Sequence, residues 1–234
     1  MTTVLVGVDP AAPAYEAIAF ARALAAAGGA DLQQVSARRG ESAARLLHPR
    51  AEAADAQLVV LGSSRTGRFG RVVPGGTGER LLHGSPCAVA VVPRAHASGT
   101  IARIGVAYDG SPEADAALEH GTDLARHLHA SLALIGVVTP DPYEEDANAQ
   151  RVQLHLERAL RELPFDVDGT IARLRGEPAD ALARHSAGLD LLVAGSRGYG
   201  PLRSVIAGGV SGRLIRTARC PVIVVPRTVG AATP

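Results

Sequence analysis

The sequence predicts an α/β fold of two tandem, doubly wound parallel sheets, the first copy lacking one strand and one helix. Three observations predict it: short Val/Ile/Leu runs alternate with helical segments, the runs recur along the chain, and the composition suits sheets packed between Ala-rich helices. Hydrophobic residues make up 47% of the 234 positions but aromatics only 3%, with no Trp, so the core must be built from Ala, Val, Leu and Ile. Near-continuous aliphatic runs are what parallel strands buried on both faces require. A chain of this length accommodates two small domains.

The first strand, VLVGVD at 4–9, is answered by IGVAYD at 104–109, which sets Asp9 against Asp109 at an offset of 100. After its first helix, copy one runs through GGADLQQVSA directly into RRGESAARL at 38–46, which answers LRGEPADAL at 174–182 at an offset of 136. The jump from 100 to 136 leaves copy two with 36 residues that copy one lacks. Those residues hold the apolar strand SLALIGVVTP at 131–140 and the segment 145–163, with Val152, Leu156, Leu160 and Leu163 at helical spacing. A further strand, DVDGTIARL at 166–174, follows. The remaining strands, LVVLGS at 58–63 and CAVAVVPR at 87–94, answer LLVAGS at 191–196 and CPVIVVPR at 220–227, both at an offset of 133. Copy two reads β-α-β-α-β-α-β-α-β, with parallel strands joined by right-handed crossovers. The polar segment 94–100 is the linker, giving domains at 1–97 and 100–228.

Several function classes are set aside by composition. A net charge of +1 with scattered Lys and Arg offers no footprint for nucleic acid. No run of about 18 apolar residues and no signal-peptide pattern appears, so membrane insertion is not expected and a cytoplasmic location is. Cys87 and Cys220 each head an apolar run and read as small buried hydrophobes. His127 and His129 lie two apart on a predicted helix and point apart, so no metal site is expected. Neither Ser63 nor Ser196 sits in a Gly-x-Ser-x-Gly elbow, and no catalytic residue is assigned.

Open parallel sheets bind ligands outside the carboxyl ends of their strands, where crossovers diverge to opposite faces. Asp109, Gly110 and Ser111 close the first strand of copy two, with Ser111 as N-cap and Pro112 at the first helical position. Asp109 can accept hydrogen bonds from a ribose hydroxyl or a base amine. The second cluster, 195–214, opens after the fourth strand and leads into a helix. Gly195, Gly198, Gly208 and Gly209 leave backbone N–H groups unshielded, and with Val210 and the helix dipole they make an anion site. Ser196 and Ser211 add hydroxyls, while Arg197 or Arg203 supplies charge.

Copy two resembles a universal stress protein domain, whose adenine-nucleotide pattern is Gly-x-x-Gly, nine residues, then Gly-Ser/Thr. Here it reads Gly195-Ser-Arg-Gly198, nine residues, Gly208-Gly209, so Gly209 departs from the pattern where the family has a hydroxyl. The resemblance covers nearly all of 100–227 and implies a Rossmann-like domain that binds ATP or AMP, with Mg able to accompany ATP, as a regulatory stress-response module. It implies that Asp109 binds the nucleotide, that Val137 and Val138 flank adenine, and that the glycine loop wraps ribose and phosphates. Copy one is similar more loosely: Gly62-Ser-Ser-Arg65 is followed by Gly75-Gly76-Thr77, and Asp9 is followed by Pro10. Asp9, Gly62, Ser63, Gly75, Gly76 and Thr77 are its corresponding candidates, but the strand that would flank adenine is expected to be the deleted one. In the family the last strands of two domains pair antiparallel, which implies association of 87–92 with 220–225; a homodimer is left open. The enzymatic alternative is a slow ATPase or a relative of the ATP-pyrophosphatase families, whose Ser-Gly-Gly-x-Asp-Ser motif is not matched at 106–111. A ligand-free interaction scaffold is the third reading.

Overall fold

The computed structural model describes residues 2–9, 13–36, 43–63, 85–94, 96, 99–196 and 209–226, and among them nine strands form one continuous sheet. The first half contributes β1 (Thr3–Val8), α1 (Tyr15–Ala27), β2 (Asp31–Ser36), α2 (Ala43–Ala53), β3 (Ala56–Gly62) and β4 (Ala88–Val92). The second contributes β5 (Arg103–Ala107), α3 (Pro112–Leu128), β6 (Ser131–Val138), α4 (Glu145–Glu162), β7 (Gly169–Arg175), α5 (Pro178–His185), β8 (Leu191–Gly195), α6 (Val210–Thr217) and β9 (Val222–Val225). Strand order across the sheet is β2-β1-β3-β4-β9-β8-β5-β6-β7.

Within each half every described pairing is parallel, and the halves meet along a single antiparallel seam. There Val89, Ala90 and Val91 face Val224, Ile223 and Val222. These are the two apolar strands that close the halves, and each leaves the other no bare edge.

Because side chains alternate across a strand, each strand feeds both faces of the sheet. Val4, Val6, Ile104, Val106, Leu132 and Leu134 pack with α1, α3 and α4 on one face; Leu5, Val59, Ile135, Leu192 and Val222 pack with α2, α5 and α6 on the other. Helix α4 buries Leu156 fully, with Val152, Leu160 and Leu163 packed around the same core. Helix α3 starts as its sequence dictates: Ser111 is extended, its hydroxyl accepts from the Ala114 N–H at 3.3 Å, and Pro112 opens the first turn. No helix among the described residues is long and apolar enough to cross a membrane.

One expectation about the first half is corrected. The strand missing there is not the one beside β1, since β2 occupies that place in the register β6 holds beside β5: Thr3 pairs with Asp31 as Arg103 pairs with Ser131. The offset of 100 therefore runs through α1 into β2, and neither α4 nor the outer strand β7 has a counterpart between β2 and α2 among the described residues. β2 reads DLQQVS, with Gln33 and Gln34 exposed, because it is an outermost strand; β6 reads SLALIGVV, because β7 and α4 cover it.

Candidate functional site

The crossovers through α3 and α4 lie on one face of the sheet and those through α5 and α6 on the other, so the switch point of the second half falls between β5 and β8. A cleft of about 170 Å³ opens there. β5 and the turn after it supply Ala107, Tyr108, Asp109 and Ser111, and β6 supplies Ile135 and Val137. Pro178 and Leu182 come from α5, Ala194 and Gly195 from β8, and Val210 and Ser211 from α6. Glu113 and Ala114 in the first turn of α3 complete the lining.

Each part is held by a local cause. One carboxylate oxygen of Asp109 accepts from the Ser111 backbone N–H at 3.0 Å and from its hydroxyl at 2.5 Å, so the acid and the helix cap form one unit. Between them Gly110 takes φ +79°, which L side chains rarely adopt. Gly195 is required for a different reason: a Cβ there would sit 2.6 Å from the Glu113 carbonyl carbon and 2.9 Å from its Cβ. That close approach lets the first turn of α3 press on the end of β8.

The apolar wall is Ile135 and Val137, two apart on β6 and so on one face. The last residues of β6 extend past the end of β5, and their ladder partner is β7: Val137 pairs with Leu174 and Val138 with Arg175. The strand without a counterpart among the described residues of the first half is thus the buttress of the wall rather than the wall, whose place beside β1 is taken by β2.

Tyr108 separates the cleft from a second groove between α3 and α4. Its hydroxyl donates to the Asp115 carboxylate at 2.7 Å, and burial first, with that carboxylate adding to it, pushes the phenol up to about 12, so it stays neutral. Burial likewise pushes the thiols of Cys87 and Cys220 up to about 11 and 12, which keeps both protonated and inert near neutral pH. Arg213 of α6 pairs with Glu177 at 3.0 Å and Asp180 at 2.8 Å, tying the starts of α5 and α6 together beside the cleft. Gly209 caps α6 with no side-chain cap bond to the first turn. Among the described residues no group of three or more His, Cys, Asp or Glu could hold a metal ion.

The cleft therefore gathers Asp109, Ser111, Val137, Gly195, Val210 and Ser211. Gly110 belongs to the same turn but faces the second groove. Val138 does not line the cleft: as the neighbour of Val137 it points to the opposite face and is 1% exposed. Ser196 is buried, its N–H donating to the Val225 carbonyl at 2.9 Å. Gly209 stands at the N-cap of α6, just outside the lining, whereas Arg197, Gly198 and Gly208 lie outside the described residues. In the first half, Gly62 ends β3 against Ala14, and the buried Ser63 accepts from the Arg94 N–H at 3.0 Å through its hydroxyl. Asp9 follows β1, and Gly75, Gly76 and Thr77 lie outside the described residues. Sequence reasoning missed Ile135, which period two from Val137 would have found, and Pro178 with Leu182, a helical pair four apart brought in by α5.

The universal stress protein family model matches residues 33–93 and 100–226. A universal stress protein of Mycolicibacterium smegmatis is 32% identical over 200 residues, covering 80% of this chain and 67% of that protein. One from Mycobacterium tuberculosis (strain H37Rv) is 31% identical over 185 residues, covering 73% of this chain and 62% of its own length. The chain thus spans roughly two thirds of these relatives. Among solved structures, a functionally unknown protein from Pseudomonas aeruginosa PAO1 matches with a TM-score of 0.71 at 16% identity, over 96% of this chain and 92% of that one. A universal stress protein from Archaeoglobus fulgidus matches at 0.60 and 22% identity, over 88% and 73%. At these identities the structures speak for the fold.

Proposed function

The chain belongs to the universal stress protein family, and from that premise we propose that its second half binds an adenine nucleotide, ATP or AMP, as a regulatory ligand. The observation that carries the reading is the cleft at the switch point, where an apolar slot and a helix N-terminus flank the Asp109 carboxylate. Its volume of about 170 Å³ suits one aromatic ring system, since a cavity of roughly 150 Å³ admits benzene. Adenine packs between Ile135 and Val137 of β6 and Leu182 of α5, Asp109 accepts from the ribose or the base, and the phosphates extend over the start of α6 toward the glycine segment. Ser211 and the N–H groups of the first α6 turn are the donors on that side. Arg197 is the candidate cation, and Mg accompanies ATP.

By sequence the first half departs from such a site at two positions. Pro10 corresponds to Gly110 at the offset of 100, and Arg65 stands where the second glycine of the motif falls. We read it as the partner that completes the sheet, with domains at 1–97 and 100–228 in a cytoplasmic stress-response protein.

Binding without turnover is favoured over a slow ATPase because Asp109, the acid at the cleft floor, already accepts two hydrogen bonds from Ser111 and serves as a fixed acceptor. The test is to denature freshly purified protein, identify the released ligand by mass spectrometry, and titrate ATP and AMP calorimetrically into the emptied protein. One site per chain is expected. Two sites per chain, or no heat at millimolar nucleotide, refutes the reading.

A further inference from the structure

Helix α4 has no counterpart among the described residues of the first half, and its His155 touches the 109–111 turn. The ladder between β5 and β6 ends with the Tyr108 N–H donating to the Ile135 carbonyl at 2.9 Å. Beyond that point the Asp109 carbonyl has left the sheet, and His155 of α4 approaches it with Nδ1 at 3.0 Å. A carbonyl only accepts, so Nδ1 carries the proton and donates. The imidazole also lies against Gly110: a Cβ there would collide with Nδ1 and sit 2.7 Å from Cε1 and 2.8 Å from Cγ. The +79° φ of Gly110 and the absence of its side chain are thus both needed to seat His155.

The helix is well placed to act as a reference. One residue along, Leu156 is fully buried, and with Val152 it closes over Gly136, where a Cβ would sit 2.9 Å from Leu156 and 2.6 Å from Val152. Gly136 immediately precedes the wall residue Val137, so α4 holds the wall strand and the acidic turn in one frame. At the sequence offset of 100, Pro10 corresponds to Gly110, and proline, locked near −65°, cannot take a φ of +79°. No helix equivalent to α4 occurs among the described residues there, so both parts of the contact are missing together.

We infer that α4, acting through the His155 hydrogen bond to the Asp109 carbonyl, sets the conformation of the 109–111 turn and thereby the nucleotide affinity of the cleft. His155 is a positioning residue on the far side of the turn from the ligand, and the inference rests on the nucleotide reading above. It deepens that reading by making the inserted 36-residue segment a determinant of affinity.

The experiment compares wild type, His155→Ala and His155→Asn by calorimetric titration with ATP and AMP, and by hydrogen exchange of the Gly110 and Ser111 amides in nucleotide-free protein. Asn carries an amide donor close to the position of Nδ1. One lost hydrogen bond weakens binding by roughly three- to tenfold in His155→Ala, with faster exchange at 110–111, and His155→Asn recovers most of both. Equal loss in the two variants overturns the donor role, and unchanged affinity and exchange in His155→Ala overturn the inference entirely. If wild type binds neither nucleotide, the function proposed above fails and exchange alone decides: acceleration in the Ala variant reversed by Asn upholds the positioning of the turn, and its absence overturns it.

Discussion

Replacing Gly195 by Ala tests whether the cleft depends on the close approach of α3 to the end of β8. The new methyl would collide with the Glu113 carbonyl oxygen and lie 2.6 Å from its carbon, whereas ordinary contact begins at 3.4 Å, so the first turn of α3 must retreat by at least about 0.8 Å. The obstacle is backbone, with no flexible side chain to swing aside, and overpacking of this kind costs about 1–3 kcal/mol. For a chain of this size that corresponds to a fall in melting temperature of roughly 2–12 °C. The retreat carries Ser111 with it, and Ser111 holds the Asp109 carboxylate. Nucleotide affinity should therefore fall along with stability. Thermal unfolding by circular dichroism and calorimetric titration measure the two effects on the same samples. A variant melting within a degree of wild type, with unchanged affinity, would refute the argument, because it would mean that α3 and β8 are not in fixed contact.

Asp109→Ala removes a charged acceptor from the floor of the cleft; affinity for ATP and AMP should drop roughly ten- to a hundredfold, and a titration curve superimposing on wild type would exclude Asp109 from the site. Ile223→Pro takes an N–H out of the seam strand while Ile223 is fully buried opposite Ala90; limited proteolysis should then release the halves or degrade the chain, and unchanged resistance would count against the seam. His120 has a buried Nε2 without a hydrogen-bond partner, and burial lowers its imidazole below the usual 6.5, the nearby Asp123 opposing the shift only in part. A depressed value favours the neutral form in the folded state, so its contribution is present above pH 6.5 and is lost as pH falls below it, when the unfolded chain takes up a proton that the folded one resists. His120→Leu should flatten the acid side of the stability profile measured by urea denaturation, and an unaltered slope between pH 6.5 and 5 would show that His120 does not contribute to it.

Much of the second half was legible because its strands are continuous aliphatic runs and its helices carry clear periods: SLALIGVV and the Val152, Leu156, Leu160, Leu163 series admit few other readings. β2 was harder. DLQQVS is too polar to announce a strand, and only its register beside β1 shows that it fills the place of β6. The cleft followed the same division. Asp109, Ser111 and Gly195 are marked by local chemistry at strand ends, so position along the chain suffices to find them. Val138 was misplaced because strand alternation sends it away from its neighbour. Leu182 and His155 depend on how separate helices pack, and His155 reaches a carbonyl 46 residues away, which no local pattern encodes.

The antiparallel seam has a consequence for how such a protein can signal. Since β4 and β9 run in opposite directions and every other described pair is parallel, the strand ends that form the cleft of the second half open on one rim of the sheet, and the corresponding ends of the first half open on the opposite rim. On the rim that carries the cleft, the first half therefore presents the N-terminal ends of its strands, that of β4 nearest. Among the described residues the halves are joined by the three residue pairs of the seam and by the contact between α1 and α3, which makes the middle of the sheet, rather than either rim, the place to cut communication between the halves.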